Sequence, residues 1–225
     1  MGLQYYIGEE EHTMSNSILL SYDIFNELTS NDYSDDALNL FIHLGFRAGR
    51  EHKIYVNTAL LCDLTHTRSR VNLMHDLRQM EAYNYIVLSE PNAKGNFWIT
   101  LTYGAFMPKT RFVVIEEEEF NHIQNNSSLI KLLYAIKKFR TGDSKISFSS
   151  YSTIEMHGNI SQPTIARRLK DLEPILQIQP YTIKLADGTV IKRNFYKLKS
   201  DGELTFEEVT DIVADYYPNA TILHS

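Results

Sequence analysis

Cysteine is almost missing: Cys62 stands alone among 225 residues, which excludes a disulfide framework and any site built from several thiolates, and agrees with a reducing compartment. No apolar run approaches the ~20 residues a membrane-spanning helix needs. The first residues carry neither the basic stretch nor the apolar core of a secretion signal, and Tyr6 stands where a myristoylation signal wants Ser or Thr. A cytoplasmic protein with no membrane partner is the expectation. The phosphate-cradling Gly-x-x-x-x-Gly-Lys loop is absent, which excludes a standard P-loop motor. No His-x-His pair accompanies the 14 tyrosines, which disfavours a nicking enzyme of the rolling-circle kind. His43, His52, His66 and His75 lack metal-ligand spacing, and no motif draws acids together into a pocket. Neither an enzyme nor a metal or other cofactor is expected.

Basic charge is lacking at both ends, and this absence shows where a partner would dock. Residues 1–35 carry no Lys or Arg and seven acids, and residues 201–225 carry six acids and no base. Residues 36–112 hold nine bases against six acids, 113–127 add four glutamates, and 128–200 hold thirteen bases against five acids. The net charge of −6 therefore hides two segments at +3 and +8. Because a field decays over ~8–10 Å at physiological salt, such clusters attract anions even on an acidic chain. At 43% hydrophobic and 22% charged, the chain has the means to fold around a core.

A repeat at an offset of 92 organises the middle of the chain. Leu40, Phe41 and Leu44 match Leu132, Leu133 and Ile136; Lys53-Ile54 matches Lys145-Ile146, and Val56 aligns with Phe148. Ser69, Leu73, Leu77, Met80 and Ile86 match Ser161, Ile165, Leu169, Leu172 and Ile178. Apolar spacing predicts, in the first copy, helices over 36–48, 57–64 and 70–82 and strands over 53–56, 85–89 and 96–103. In the second copy it predicts helices over 129–140, 151–157 and 162–172 and strands over 145–149, 181–185 and 190–198. Asp187-Gly188 between alternating runs signals a hairpin, Ser161 is a helix cap, and Pro163 suits a first helical turn. The domains expected are an acidic extension (1–35), a first copy (36–112), an acidic linker (113–127), a second copy (128–200) and an acidic C-terminal helix (201–225).

Helix, strand, helix, helix, hairpin resembles the winged helix, a helix-turn-helix variant with a β-hairpin wing. The stretch 161–169, Ser-Gln-Pro-Thr-Ile-Ala-Arg-Arg-Leu, is similar to the recognition helix of that superfamily, and 69–75 is its looser counterpart. A tandem pair behind an acidic extension also resembles the winged-helix replication initiators of plasmids and phages. The resemblance implies an α+β, mainly helical fold with two winged-helix domains, and sequence-specific binding of double-stranded DNA in transcriptional regulation or replication initiation. With Ile165, Leu169 and Leu172 buried, Gln162, Thr164, Arg167 and Arg168 face outward; with Leu73, Leu77 and Met80 buried, Arg68, Arg70, Asn72 and His75 do. These side chains suit base edges, while Lys94 on one wing and Lys184, Lys192 and Arg193 on the other suit phosphate. Paired units imply a repeated or palindromic site with half-sites roughly 10 bp apart or a multiple of it. The first copy, less basic, has the weaker claim to DNA.

The flanks are candidates for assembly. Thr205 to Glu208 reads as a capping box before Val209, Ile212, Val213 and Tyr216 at helical spacing, and 17–28 reads as a second amphipathic helix. Either could pack within the chain or form a homodimer. A tandem winged-helix scaffold for protein partners, without DNA binding, stays open as the alternative. Against it stand Arg70, Gln162 and Arg168 near the starts of both third helices.

Overall fold

A computed structural model describes residues 17–48, 51–67, 69–106, 108 and 111–223; Arg68, one of the expected contact residues, lies outside them. The fold is α+β, and the chain divides into two compact units, Met1–Arg111 and Phe112–Ser225. Among the described residues no helix is long and apolar enough to cross a membrane.

In the first unit, strand β1 (Ser17–Ser21) leads into helix α1 (Tyr22–Leu28). The single helix expected over 17–28 is broken because Ser21 is extended and caps α1, its Oγ accepting the Ile24 N–H at 3.1 Å. Helix α2 (Ala37–Arg47) is buried almost all round, and Gly45 gives it close approach to β1. A Cβ on Gly45 would run into the Ile18 side chain. Strand β2 (Lys53–Val56) precedes helix α3 (Thr58–Thr65), capped by Asn57, whose Oδ1 accepts the Leu60 N–H at 2.9 Å. The chain then turns at His66, held at φ 51°, into helix α4 (Arg70–Ala82), which Ser69 caps. Buried Asp76 on α4 accepts from the backbone and the hydroxyl of Ser34, tying α4 to the turn before α2. Strands β3 (Ile86–Leu88) and β4 (Phe97–Leu101) follow, then helix α5 (Tyr103–Phe106), whose Phe106 stacks on Phe41 at 4.1 Å. The antiparallel sheet runs β2-β4-β3.

The second unit opens with strand β5 (Phe112–Glu116) and helix α6 (Glu117–Ile123), in the stretch expected to be a linker. The glutamate run nucleates α6 through a capping box between Glu116 and Glu119, and acids in a first helical turn meet the positive end of the helix dipole. Glu119 is buried and salt-bridged to buried Lys137 at 2.5 Å, the side chains 7% and 4% exposed. Burial pulls the Lys137 ammonium below its usual pKa despite the carboxylate beside it. Helix α7 (Ser127–Lys138) carries Lys137. Helix α8 (Tyr151–Gly158) is capped by Ser150 and ends at Asn159, in the same left-handed conformation as His66. Helix α9 (Gln162–Arg168) stops earlier than the expected 162–172, and Leu169–Leu172 continue as a tighter 3-10 turn.

Strands β6 (Leu176–Lys184) and β7 (Val190–Leu198) form a long hairpin. The expected strand 181–185 misses its first half, which contains Pro180. Proline is tolerated there because β6 has a neighbour on one side only at that point. Helix α10 (Phe206–Tyr216) has the expected capping box of Thr205 and Glu208. Strand β8 (Thr221–Leu223) then pairs with Thr182 to Lys184, giving the order β7-β6-β8. The apolar residues of α10 are spent inside this unit: Val209, Ile212 and Val213 join Ile146, Ile183, Phe195 and Leu204 in one core.

In place of the expected strand 145–149, two isolated bridges form, Thr141 to Ile146 and Ser147 to Tyr196. Ser147, fully buried, faces the helices, whereas Ile146 and Phe148 face α10. The repeat is thus offset by 93 here, as the caps Asn57 and Ser150 also show, and a slip of one residue exchanges the faces.

Glu119→Gln leaves Lys137 buried without a counter-ion and should cost about 3–5 kcal/mol in denaturant unfolding. Glu119→Leu with Lys137→Met should recover most of that loss; a double variant as unstable as the single one contradicts it.

Candidate nucleic-acid interface

The starts of α4 and α9 each follow a short helix and a turn through a left-handed residue, so each unit presents a helix whose buried stripe fixes its outward face. On α4, Leu73, Leu77 and Met80 are buried, and Arg70, Val71, Asn72, His75 and Arg78 are exposed. Val71, 79% exposed, is an apolar side chain left in water at the second helical position. His75 is committed in part: its Nε2–H donates to the Asp32 carbonyl at 3.0 Å. On α9 and the turn after it, Ile165, Leu169 and Leu172 are buried, and Gln162, Arg167 and Lys170 are exposed. Acids border both stripes: exposed Glu81 on α4 accepts the Leu88 N–H at 2.8 Å, and exposed Asp171 in the turn after α9 pairs with Arg168 at 3.0 Å. The stripes also correspond: His75 and Arg167 are 92 residues apart, as are Arg78 and Lys170.

Sequence spacing marked Gln162, Thr164, Arg167 and Arg168 as outward, and the structure separates them. Gln162 is exposed but donates from Nε2 to Glu155 Oε2 at 2.7 Å. Thr164 is half-buried, its hydroxyl 3.0 Å from Ser161 Oγ. Arg168 is half-buried and ion-paired to Asp171 at 3.0 Å, and its buried Nε meets no acceptor among the described residues. It does not face outward as a reader would. Only Arg167 is both outward and free of ion pairs among the described residues. Val71, Arg78 and Lys170 escaped the sequence reading. Val71, His75 and Arg78 do recur at i, i+4 and i+7 opposite the buried stripe, a signal that was there to be used.

The hairpin tips share one geometry. The Asn92 N–H donates to the Asn96 carbonyl and the Gly95 N–H to the Asn92 carbonyl; Leu185, Gly188 and Thr189 repeat both bonds. Gly95 and Gly188, at φ 75° and 87°, take the left-handed position that closes a three-residue loop. The tips differ in charge, because Lys94 in the first corresponds to Asp187 in the second.

On the second hairpin Lys184 and Lys192 project from the face that continues inward to Tyr196, which is buried under the helices, since the pairs Lys184–Val190 and Thr182–Lys192 alternate with Ile183–Ile191. Arg193 projects from the opposite face, where its Nε–H donates to Tyr217 Oη at 3.5 Å; it does not join the two lysines. Beside Lys192, a groove of about 430 Å³ runs along Ser150, Ser152, Gln162, Arg193 and Asn194. Its lysine and hydroxyls, with the positive end of α8, suit an oxyanion such as a backbone phosphate.

Buried His43 on α2 has its pKa lowered to about 4 by desolvation, with the Arg47 charge adding to the effect. Among the described residues no cluster of three His, Cys, Asp or Glu side chains could hold a metal ion. The chain matches no known protein-family model and none of the curated proteins.

If the outward cations have no structural duty, Arg167→Ala and Lys170→Ala should each stay within about 0.5 kcal/mol of the parent in denaturant unfolding. Arg168→Ala should cost more, up to about 1 kcal/mol, because its stem is packed and its head paired. Equal costs at all three positions contradict this division.

Proposed function

We propose that this chain is a sequence-specific double-stranded DNA-binding protein built of two winged-helix units, a transcriptional regulator or replication initiator of plasmid or phage type. The observation that carries the reading is the matched pair of exposed stripes, one on α4 and one on α9 with the turn after it: His75 and Arg78 are answered by Arg167 and Lys170, and the acids beside them, Glu81 and Asp171, are engaged by the Leu88 N–H and by Arg168. One polar helix face is what any solvated helix needs; two at corresponding positions, each after a helix and a tight turn and before a hairpin, fit a repeated task. The helix starts read base edges in the major groove. Arg70 and Arg167 suit guanine, Asn72 and Gln162 suit adenine, and the Val71 side chain suits a thymine methyl. Lys94, Lys184 and Lys192 and the groove beside α8 hold phosphates and set the register.

The alternative, a protein scaffold without DNA binding, draws support from exposed aromatic rings on the first unit's sheet. Selection of the purified protein on random duplexes, followed by a salt series, separates the two. The DNA reading predicts an enriched site with direct or inverted repeats, half-sites roughly 10 bp or a multiple apart. It also predicts a log–log salt slope of several units, each neutralised phosphate contributing about 0.9. Arg78→Glu and Arg167→Glu should each weaken binding about tenfold or more, a loss of about 1.4 kcal/mol. No enrichment with a flat slope overturns the reading in favour of the scaffold.

A further inference from the structure

Among the described residues, helices cover one of the two faces of the β2-β4-β3 sheet. Ile54, Val56, Ile86, Phe97, Ile99 and Leu101 are buried on the inner face. On the outer face lie Lys53, Tyr55, Val87, Trp98 and Thr100; Tyr55 is 47% exposed, Trp98 46% and Val87 50%. Tyr55 and Trp98 are cross-strand partners with ring centroids 5.0 Å apart, and Asn92 donates to Tyr55 Oη at 2.7 Å. The rings are held on the surface, and isolated exposed apolar residues would not be organised in this way.

The second unit shows what the corresponding face is built to receive. Phe148 precedes the cap Ser150 by two residues, as Tyr55 precedes Asn57. Phe148, Ile183 and Phe195 form the outer face there, and α10 lies over it with Val209, Ile212 and Val213. Helix α10 has four acids and no base, and its Glu208 pairs with Lys197 of that sheet at 2.6 Å. The first unit's strands likewise carry no acid, and Lys53 stands exposed on the open face.

We propose that the outer face of the first unit's sheet docks an acidic amphipathic helix of a partner protein, seated over Tyr55, Val87 and Trp98 as α10 sits over Phe148, Ile183 and Phe195, with its carboxylates toward Lys53. A second copy of this chain is the poorer occupant, since its acidic helix is already buried in its own second unit. A single nucleic-acid strand would need a track of cations, and these strands carry one lysine. The proposal stands independently of duplex binding.

Trp98 is the only tryptophan, so the emission of the full chain reports on this face. The probe is a synthetic peptide spanning residues 204–218, the chain's own acidic helix supplied in trans. Expected are a saturable blue shift of Trp98 and reduced quenching by acrylamide, with binding about tenfold weaker in Lys53→Glu and in Val87→Asp, each with an unchanged unfolding midpoint. A peptide with its acids replaced by lysine should give no shift. The proposal is overturned if the emission ignores the acidic peptide or answers both peptides alike. It is also overturned if the emission moves only with protein concentration, which would mark a second copy, or only with oligothymidine, which would mark a nucleic-acid strand.

Discussion

Strand side chains alternate between the two faces of a sheet, and in each unit the helices of the repeat can cover only one of them. The rest of the architecture follows from how the other face is treated. In the second unit α10 and β8 are added to bury it, so the hairpin of β6 and β7 is anchored along its length. In the first unit nothing is added among the described residues, and Tyr55, Val87 and Trp98 stay in water. Two copies of one plan thereby acquire different surfaces.

The same alternation sorts the charges. Neighbouring Lys192 and Arg193 project from opposite faces of β7, and the Arg193 side chain reaches Tyr217. On α9 and the 3-10 turn after it, Arg167 and Lys170 turn outward, while Arg168 folds back on Asp171. An anion approaching the second unit would meet Arg167, Lys170, Lys184 and Lys192, with exposed acids nearby in Glu155 beside Gln162, Asp171 paired to Arg168 and Asp187 at the hairpin tip. At the first unit it would meet Arg70, Arg78 and Lys94.

The helices and hairpins of both copies were legible in the sequence because apolar spacing is set by local geometry. Ser69 caps α4 through its side chain, Ser161 holds the cap position of α9 without a side-chain hydrogen bond to the helix backbone, and Gly188 turns where its neighbours require it. What escaped depends on partners distant in sequence. Ile146 looked like a core residue of the repeat, and only the position of α10 shows that it serves the other face. The expected strand began at Tyr181, and its first half, Leu176 to Pro180, shows only once β7 is seen paired along it. The four glutamates read as a solvated linker, because nothing local shows that Lys137 waits for Glu119. The candidate site was legible in type but only partly in membership. Arg193 could have been set apart from Lys192 by strand alternation, whereas the pairing of Arg168 with Asp171 competes with exposure in a way that spacing does not reveal.

The central claim is that the starts of α4 and α9 face DNA while the outer sheet face of the first unit serves another purpose. Side-chain footprinting of the full chain with and without its selected duplex tests this most directly. The account predicts protection of Arg70, His75, Arg78, Arg167, Lys170 and Lys192, with Lys53 and Trp98 labelled equally in both states. Protection centred on Tyr55 and Trp98, with Arg78 and Arg167 unchanged, would contradict it.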